Sequence, residues 1–308
     1  MNTAHEISEQ LIKHIKKQGW QVTIVSIASV KDLETEIGAR RQKGLLDPVL
    51  FDEYLASFDF ACAHRLADAQ SLIIVGVPKP QVRVVFETGR KPVSVIIPPT
   101  YAFSIDQQVA AKLDPFLSSN SYHFKKVRLP EKLLAVRSDL ARYGKNNISY
   151  IPDLGSFYRP VVFVSDIPCE ADGWQEPSVM AECEKCTACI KACPTNAIST
   201  DRFQLHAERC LTFYNESTRD FPDWLRPAWH NSLVGCMICQ KVCPANKAVV
   251  KWIETGETFN ANETELILSG TPRELLPRET AEKINRQDLM EYYDVLGRNL
   301  KALITRSN

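Results

Sequence analysis

Apolar side chains at Ile7, Leu11, Ile12 and Ile15 fall on one face of a helix, so an amphipathic helix is predicted from Met1 to Lys17. Gln21 to Ile27 (QVTIVSI) carries the β-branched content of a strand. Lys31 to Arg41 and Pro48 to Leu66 follow mostly helical patterns. Ser71 to Val77 (SLIIVGV) is a continuous apolar run, short enough for a buried strand. Gln81 to Glu87 and Pro92 to Ile97 flank Thr88-Gly89-Arg90-Lys91 and predict a hairpin. Helices are expected over Asp106 to Leu117 and over Pro130 to Tyr143, the latter closing at Gly144 in a C′ position. Phe157 to Ser165 reads as a strand in which Pro160 marks a sheet edge or bulge.

A polar connector from Pro168 to Pro177 precedes a cysteine-rich stretch at 181–247, and the remainder reads as helical. There Asn262 is placed to cap ETELILS before Gly270, Thr271-Pro272-Arg273-Glu274 has the form of a capping box, and Gln287 to Ile304 makes the last helix. The expected architecture is α/β (α+β): a sheet domain at 1–175, a double-cluster module at 176–250 and a helical segment at 251–308.

A length of 308 residues allows a substantial core, and 44% hydrophobic with 24% charged residues is the composition of an ordinary globular chain. Thirty-seven basic residues balance thirty-seven acidic ones, so no global field recruits nucleic acid or an anionic membrane. No apolar run is long enough to cross a bilayer, and the first residues lack the apolar core of a secretory signal. A reducing cytoplasm is therefore expected. There, clustered thiols bind metal more often than they form disulfides.

Eight of the ten cysteines fall between Cys183 and Cys243. The first motif is Cys183-x2-Cys186-x2-Cys189-x3-Cys193-Pro194, and the second is Cys236-x2-Cys239-x3-Cys243-Pro244, with Cys210 alone between them. Thiolates spaced in this way reach three corners of an iron–sulfur cubane, while the cysteine before proline reaches across to the other cluster. Cluster one then takes Cys183, Cys186, Cys189 and Cys243; cluster two takes Cys193, Cys236 and Cys239, with Cys210 left to supply its fourth ligand. Zinc or simple buried thiols compete with this reading, but zinc closes its shell with four ligands and needs no such run. Cys62 and Cys169 lie outside the pattern and read as small hydrophobes or surface thiols. Thr187, Ala188, Ile190, Ala197 and Ile198, with Val234, Met237, Ile238 and Val242, are expected to form a dry shell around the clusters.

This ligand set, following an α/β domain, resembles the epoxyqueuosine reductase family and its relatives, the cobalamin-dependent reductive dehalogenases. The resemblance is close from Cys183 through Pro244. In the first half it rests on Ser71 to Pro78, on Gly144-Lys145-Asn146 within Leu140 to Asn147, and on Gly155-Ser156-Phe157. It implies a nitroreductase-like N-terminal domain holding a corrinoid, a bacterial-ferredoxin-like double [4Fe–4S] module, and cofactor contacts from Lys145, Asn146 and Ser156. Two departures stand out: His123 to Leu129, where the family carries its catalytic aspartate, holds no carboxylate, and the C-terminal helical-repeat extension of longer members is lacking.

The resemblance thus implies a corrinoid-dependent reductase fed by two [4Fe–4S] clusters. The alternative is an electron-transfer protein serving a corrinoid or flavin partner, with FMN in the same domain as a third reading. The implied partner is an electron donor such as ferredoxin or flavodoxin, with tRNA disfavoured by the two departures. Seven basic residues (Lys125, Lys126, Arg128, Lys132, Arg137, Arg142, Lys145) could grip a phosphate, although a solvated helix face is the reading favoured for such a run. Tyr122, His123, Tyr143 and Tyr158 are conceivable proton donors, each more simply explained as structural or surface residues. No GxGxxG, Walker loop or GxSxG occurs, so dinucleotide binding of Rossmann type, P-loop chemistry and serine hydrolysis find no support.

Overall fold

A computed structural model describes residues 4–89, 91–169 and 173–307. In chain order its elements are α1 (Ala4–Lys16), β1 (Gln21–Ser26), α2 (Val30–Gln42), a short α3 (Pro48–Leu50), β2 (Ser71–Pro78), β3 (Gln81–Phe86), β4 (Val93–Ile97), α4 (Ile105–Ser119), β5 (Phe124–Lys126), α5 (Glu131–Arg137), β6 (Arg142–Tyr143), β7 (Ser149–Tyr150) and β8 (Tyr158–Ser165). Then follow α6 (Ala188–Ala192), α7 (Leu211–Glu216), α8 (Ile238–Lys241), β9 (Ile253–Phe259), α9 (Ala261–Ser269), α10 (Arg278–Arg286) and α11 (Tyr293–Ser307). The chain folds into two compact units, one of 1–78 with 104–186 and one of 79–103 with 187–308. Both are discontinuous in sequence.

The first unit is built on an antiparallel sheet in the order β1-β2-β8-β5. Leu72 through Val75 and Val161 through Val164 are buried to within 1% of their surface, which is why β2 and β8 read as unbroken apolar runs. Leu11 and Ile15 of α1, with Leu113 and Leu117 of α4, are fully buried in this unit. Pro160 pairs with Gly76 on β2, whereas β5 reaches only Phe163 to Ser165, so the missing N–H costs no ladder bond on that side.

Two expectations fail in this unit. The helix predicted over Pro48 to Leu66 breaks up after α3, whose first turn the Asp47 carboxylate caps through Leu50 N–H at 2.9 Å. A wide turn at Phe51–Leu55 and a 3-10 turn at Cys62–Arg65 take its place, with Asp59 N–H bonded to the Arg128 carbonyl at 2.8 Å. The helix predicted to run to Gly144 stops at Arg137, because Asp139 adopts φ 60° and turns the chain into the β6–β7 hairpin.

The second unit holds a three-stranded sheet, β4-β3-β9, in which β3 and β4 form the expected hairpin and β9 lies parallel to β3. β9 contradicts the all-helical reading of the C-terminal segment: the apolar positions of Ile253–Phe259 are too sparse to announce a strand, and the pairing that makes it one comes from β3. Phe86 and Phe259, both without exposed surface, stack with ring centroids 4.8 Å apart in a core shared with Leu296 and Leu300 of α11. Asn260, not Asn262, caps α9, forming a capping box in which it accepts from Glu263 N–H at 2.9 Å while Glu263 accepts from Asn260 N–H at 2.8 Å. The box expected at Thr271–Glu274 is replaced by a single 3-10 turn, Arg273–Leu275. Among the described residues no helix is long and apolar enough to cross a membrane.

Candidate metal centre

Proline sets the backbone of the cysteine loops. Cys193 (φ −71°, ψ 109°) and Cys243 (φ −73°, ψ 124°) precede Pro194 and Pro244, whose rings exclude the helical region for the residue before them. Both are thereby extended at the end of a helical turn. Cys210 has no proline after it, yet adopts nearly the same angles (φ −73°, ψ 128°) as it leads into α7. The solitary cysteine is thus presented by the same local geometry as the two that end the motifs.

Within the second unit the structure brings three of the sequence-predicted thiols together. Burial pushes the Cys210 thiol up to about 11, and Cys236 and Cys193 lie close enough to add like-charge repulsion, while hydrogen bonds from Thr212 act in the opposite sense. Burial raises Cys236 too, opposed by the Ile238 N–H and by Asn231, whose Nδ2 donates to Sγ at 3.2 Å. Asn231 is itself fixed, its Oδ1 accepting from Met237 N–H at 2.9 Å. The Thr195 hydroxyl lies 3.5 Å from Cys193 Sγ. The Cys210 and Cys236 thiols thus hold their protons more firmly than free thiols do.

Iron–sulfur clusters fit this set. Among the described residues no three His, Cys, Asp or Glu side chains converge on one metal ion. A lone zinc, with sulfur at about 2.3 Å, would draw its thiolates to within about 4 Å of one another. Around these sulfurs, Asn231 Nδ2 donates to Cys236 and the Thr195 hydroxyl lies beside Cys193. Cys239 lies in α8, three residues beyond Cys236.

The approach to Cys236 is tightly specified. Gly235 has φ 62°, and a Cβ there would stand 2.3 Å from the Tyr101 hydroxyl oxygen, so the site requires glycine both for its backbone and for space. Its carbonyl accepts from Asn215 Nδ2 at 2.7 Å and Ser232 Oγ at 3.1 Å. Tyr101 donates to Glu216, and burial holds its phenol well above the ordinary value. Ala197, Ile198, Val234 and Met237 are buried, as the dry shell requires, but Val242 is 42% exposed and lies outside any such shell.

In the first unit Cys183 is buried and Cys186 follows it in a turn closed by Cys186 N–H to the Cys183 carbonyl at 3.3 Å. Lys145 holds this loop: its ammonium donates to the carbonyls of Cys186 at 3.1 Å and Glu184 at 3.4 Å. Asn146 is buried and donates to the Tyr150 hydroxyl at 2.8 Å, and Ser156 is buried at 2% exposure. A Cβ on Gly144 would fall 2.6 Å from Asn146 Oδ1 and from the Tyr150 ring, so this glycine serves close packing. Lys145 and Asn146, two of the three residues expected to touch a cofactor, thus also make bonds within the fold, and Ser156 is buried.

The basic run is dispersed. Lys126 pairs with Asp106, Arg137 with Glu36 at 2.8 Å and Glu176 at 3.3 Å, and Arg142 with Asp139. Of the conceivable proton donors, His123 is exposed and paired with Asp166 at 2.9 Å. Burial lifts Tyr143 to about 12 and Tyr158 higher still, the latter 2.6 Å from the Ser149 hydroxyl. Sequence reasoning passed over Glu131. Burial raises its carboxyl above the ordinary range, against the pull of Arg159, Lys126 and Arg128. Cys62 is fully buried, with its thiol pushed up to about 11, and Cys169 contacts the Ile24 carbonyl at 3.8 Å.

The cysteine geometry and the mixed α/β fold define an iron–sulfur protein: residues 182–246 match the family described as a 4Fe-4S double cluster binding domain. The chain is similar to the epoxyqueuosine reductases. It is 34% identical over 119 residues to epoxyqueuosine reductase from Bacillus subtilis, a match covering 39% of this chain and 30% of that protein. Across the first curated relatives the match spans only about a third of their length, 30% and 37% in two cases. The backbone resembles that of a selenomethionine-labelled epoxyqueuosine reductase with a TM-score of 0.71 at 20% identity, covering 99% of this chain and 82% of that one. It also resembles an epoxyqueuosine reductase with an epoxyqueuosine-modified tRNA-Tyr stem loop, at TM-score 0.70 and 21% identity, over 99% and 82%. At these identities the structures establish the shared fold.

Proposed function

We propose that this chain is a reductase in which two [4Fe–4S] clusters deliver electrons to a corrinoid held by a nitroreductase-like first domain. The observation that carries the reading is Cys210: it shares the extended geometry of Cys193 and Cys243 and lies within electrostatic reach of Cys193 and Cys236, which supports a complete ligand set for the second cluster. When bound, the clusters supply one-electron conduction and a corrinoid supplies a strongly reducing metal. The chain's own residues do the rest. Cys193, Cys210, Cys236 and Cys239 would hold the second cluster in a ferredoxin-like module, Asn231 and Thr195 donate to its sulfurs, and Lys145 braces the Cys183–Cys186 loop. Glu131, whose carboxyl burial raises above the ordinary range, is the candidate proton donor in the domain that lacks the family's aspartate.

The test is anaerobic reconstitution followed by titration with cobalamin. Binding accompanied by a change in the corrinoid spectrum supports the reading; no binding and no spectral change refutes it. A second reading is electron transfer to a corrinoid or flavin partner without a substrate of its own. It is favoured by the bonds that Lys145 and Asn146 make within the fold. It predicts a stable complex with a redox partner and no turnover of small substrates, and yellow protein that releases FMN on denaturation would place a flavin in this chain instead.

A further inference from the structure

From Leu225 through Ile253 the chain carries no carboxylate, Asp223 and Glu254 being the nearest on either side, while it carries Arg226, Lys241, Lys247 and Lys251. All four basic residues are exposed. Three of them lie within the eleven residues that begin in α8, on a stretch folded tightly by Lys247 N–H to the Pro244 carbonyl at 3.0 Å, Val250 N–H to the Asn246 carbonyl at 2.7 Å and Trp252 N–H to the Val249 carbonyl at 2.8 Å. Large apolar side chains stand among them in water: Val242 at 42% and Trp252 at 38% exposure. Cys239 lies two residues before Lys241 in α8, and Lys241 lies within electrostatic reach of Cys236. Exposed cationic and apolar side chains are intermingled along this stretch, in a chain whose net charge is zero, and give it a local positive charge next to the cysteines of the second motif.

We propose that Lys241, Lys247 and Lys251, with Val242 and Trp252, form the docking surface for an acidic one-electron carrier protein of the ferredoxin type. This rests on the redox reading above in taking the second cluster as an electron acceptor. In each encounter the reduced carrier loses one electron and the cluster gains one, with no bond made or broken. Lysines steer and orient an anionic partner, and the exposed valine and tryptophan supply the apolar contact that transient electron-transfer interfaces use. The lack of any carboxylate between Asp223 and Glu254 removes local repulsion that would weaken such an encounter.

The test compares the cluster-loaded chain with a Lys241→Glu/Lys247→Glu/Lys251→Glu variant. Two readouts are taken: stopped-flow reduction by a reduced acidic [2Fe–2S] ferredoxin, and calorimetric binding of the oxidised ferredoxin. Reduction by dithionite serves as the internal control, because it reports cluster competence independently of docking; if neither protein's clusters accept electrons from dithionite, the redox reading and this one fall together. With competent clusters, charge reversal should slow ferredoxin reduction and weaken binding about tenfold or more at low ionic strength, the difference fading near 1 M salt, where the screening length is about 3 Å. The milder Lys241→Gln/Lys247→Gln/Lys251→Gln variant should fall between, with melting temperature and iron content unchanged. Reversal of Lys17, Lys43 and Lys112, exposed in the first unit, should leave both readouts alone. Equal ferredoxin rates within about twofold at low salt would overturn the proposal, as would loss of affinity for a tRNA stem loop with ferredoxin reduction intact.

Discussion

Replacing Cys210 by alanine is the sharpest perturbation of the proposed centre. The residue faces Cys193 and Cys236, and no other cysteine between the two motifs can take its place. Structural four-thiolate or mixed zinc sites bind with about 10–16 kcal/mol, so one ligand in four is worth about 3 kcal/mol, or roughly a hundredfold in affinity. Anaerobically reconstituted parent protein should carry about eight irons, two cubanes' worth. Cys210→Ala should carry about seven or fewer, and a chelator should strip its second cluster at roughly a hundredth of the concentration the parent withstands. Iron and sulfide analysis with electron paramagnetic resonance of the reduced protein reads both effects. Cys62→Ala and Cys169→Ala serve as controls, since neither lies near the motifs in sequence. If Cys210→Ala retains the parent's iron and the parent's resistance to chelation, or if the controls lose as much, the ligand reasoning is wrong.

Phe259→Ala removes a fully buried ring from the stack with Phe86 and should cost about 3–5 kcal/mol, read as a fall in the denaturation midpoint. Gly235→Ala forces a left-handed backbone onto an L-residue and drives Cβ into Tyr101; a loss of about 2–4 kcal/mol with impaired loading of the second cluster is expected, and adding Tyr101→Phe should not rescue it, because the backbone strain remains. Glu131→Gln tests the buried carboxyl. Because its folded pKa is raised, its contribution is intact below the ordinary range near 4.5 and is lost as pH rises through the folded value; the variant should therefore melt at or above the parent at alkaline pH, with the gap closing toward about pH 4. A melting-temperature series across pH that runs the other way would show the carboxyl to be ionised and stabilising.

What could be read from the residues was what they encode locally. The face of α1, the unbroken run of β2 and the hairpin of β3 and β4 depend on near neighbours, and each lies close to its expected span. The cysteine spacing is likewise local, since it measures what a short loop can reach. The failures have longer-range causes. β9 is a strand because of β3, some 170 residues earlier. The helix expected to reach Gly144 ends at Arg137 because Asp139 takes a left-handed conformation that its sequence permits without requiring. Asn260 and Asn262 are equally good caps by composition, each with a glutamate three residues on, and only the structure shows that the reciprocal pair forms between Asn260 and Glu263. Lys145 was legible as a residue of interest, but only its bonds to Glu184 and Cys186 reveal that it grips the cysteine loop.

The parallel pairing of Gln81 with Ile253 has a consequence for biosynthesis. A ribosome adding about 5–20 residues per second releases β3 and β4 roughly 10–30 s before their third strand exists. Through that interval the nascent hairpin offers an open, Val- and Phe-rich edge, which invites aggregation or capture by a chaperone. Every thiol from Cys189 to Cys243 emerges within the same interval, ahead of the strand that closes the sheet. Machinery that inserts iron and sulfide would thus first meet these thiols on an unfinished scaffold, and the late arrival of Ile253–Phe259 sets the earliest moment at which the second unit can lock them in place.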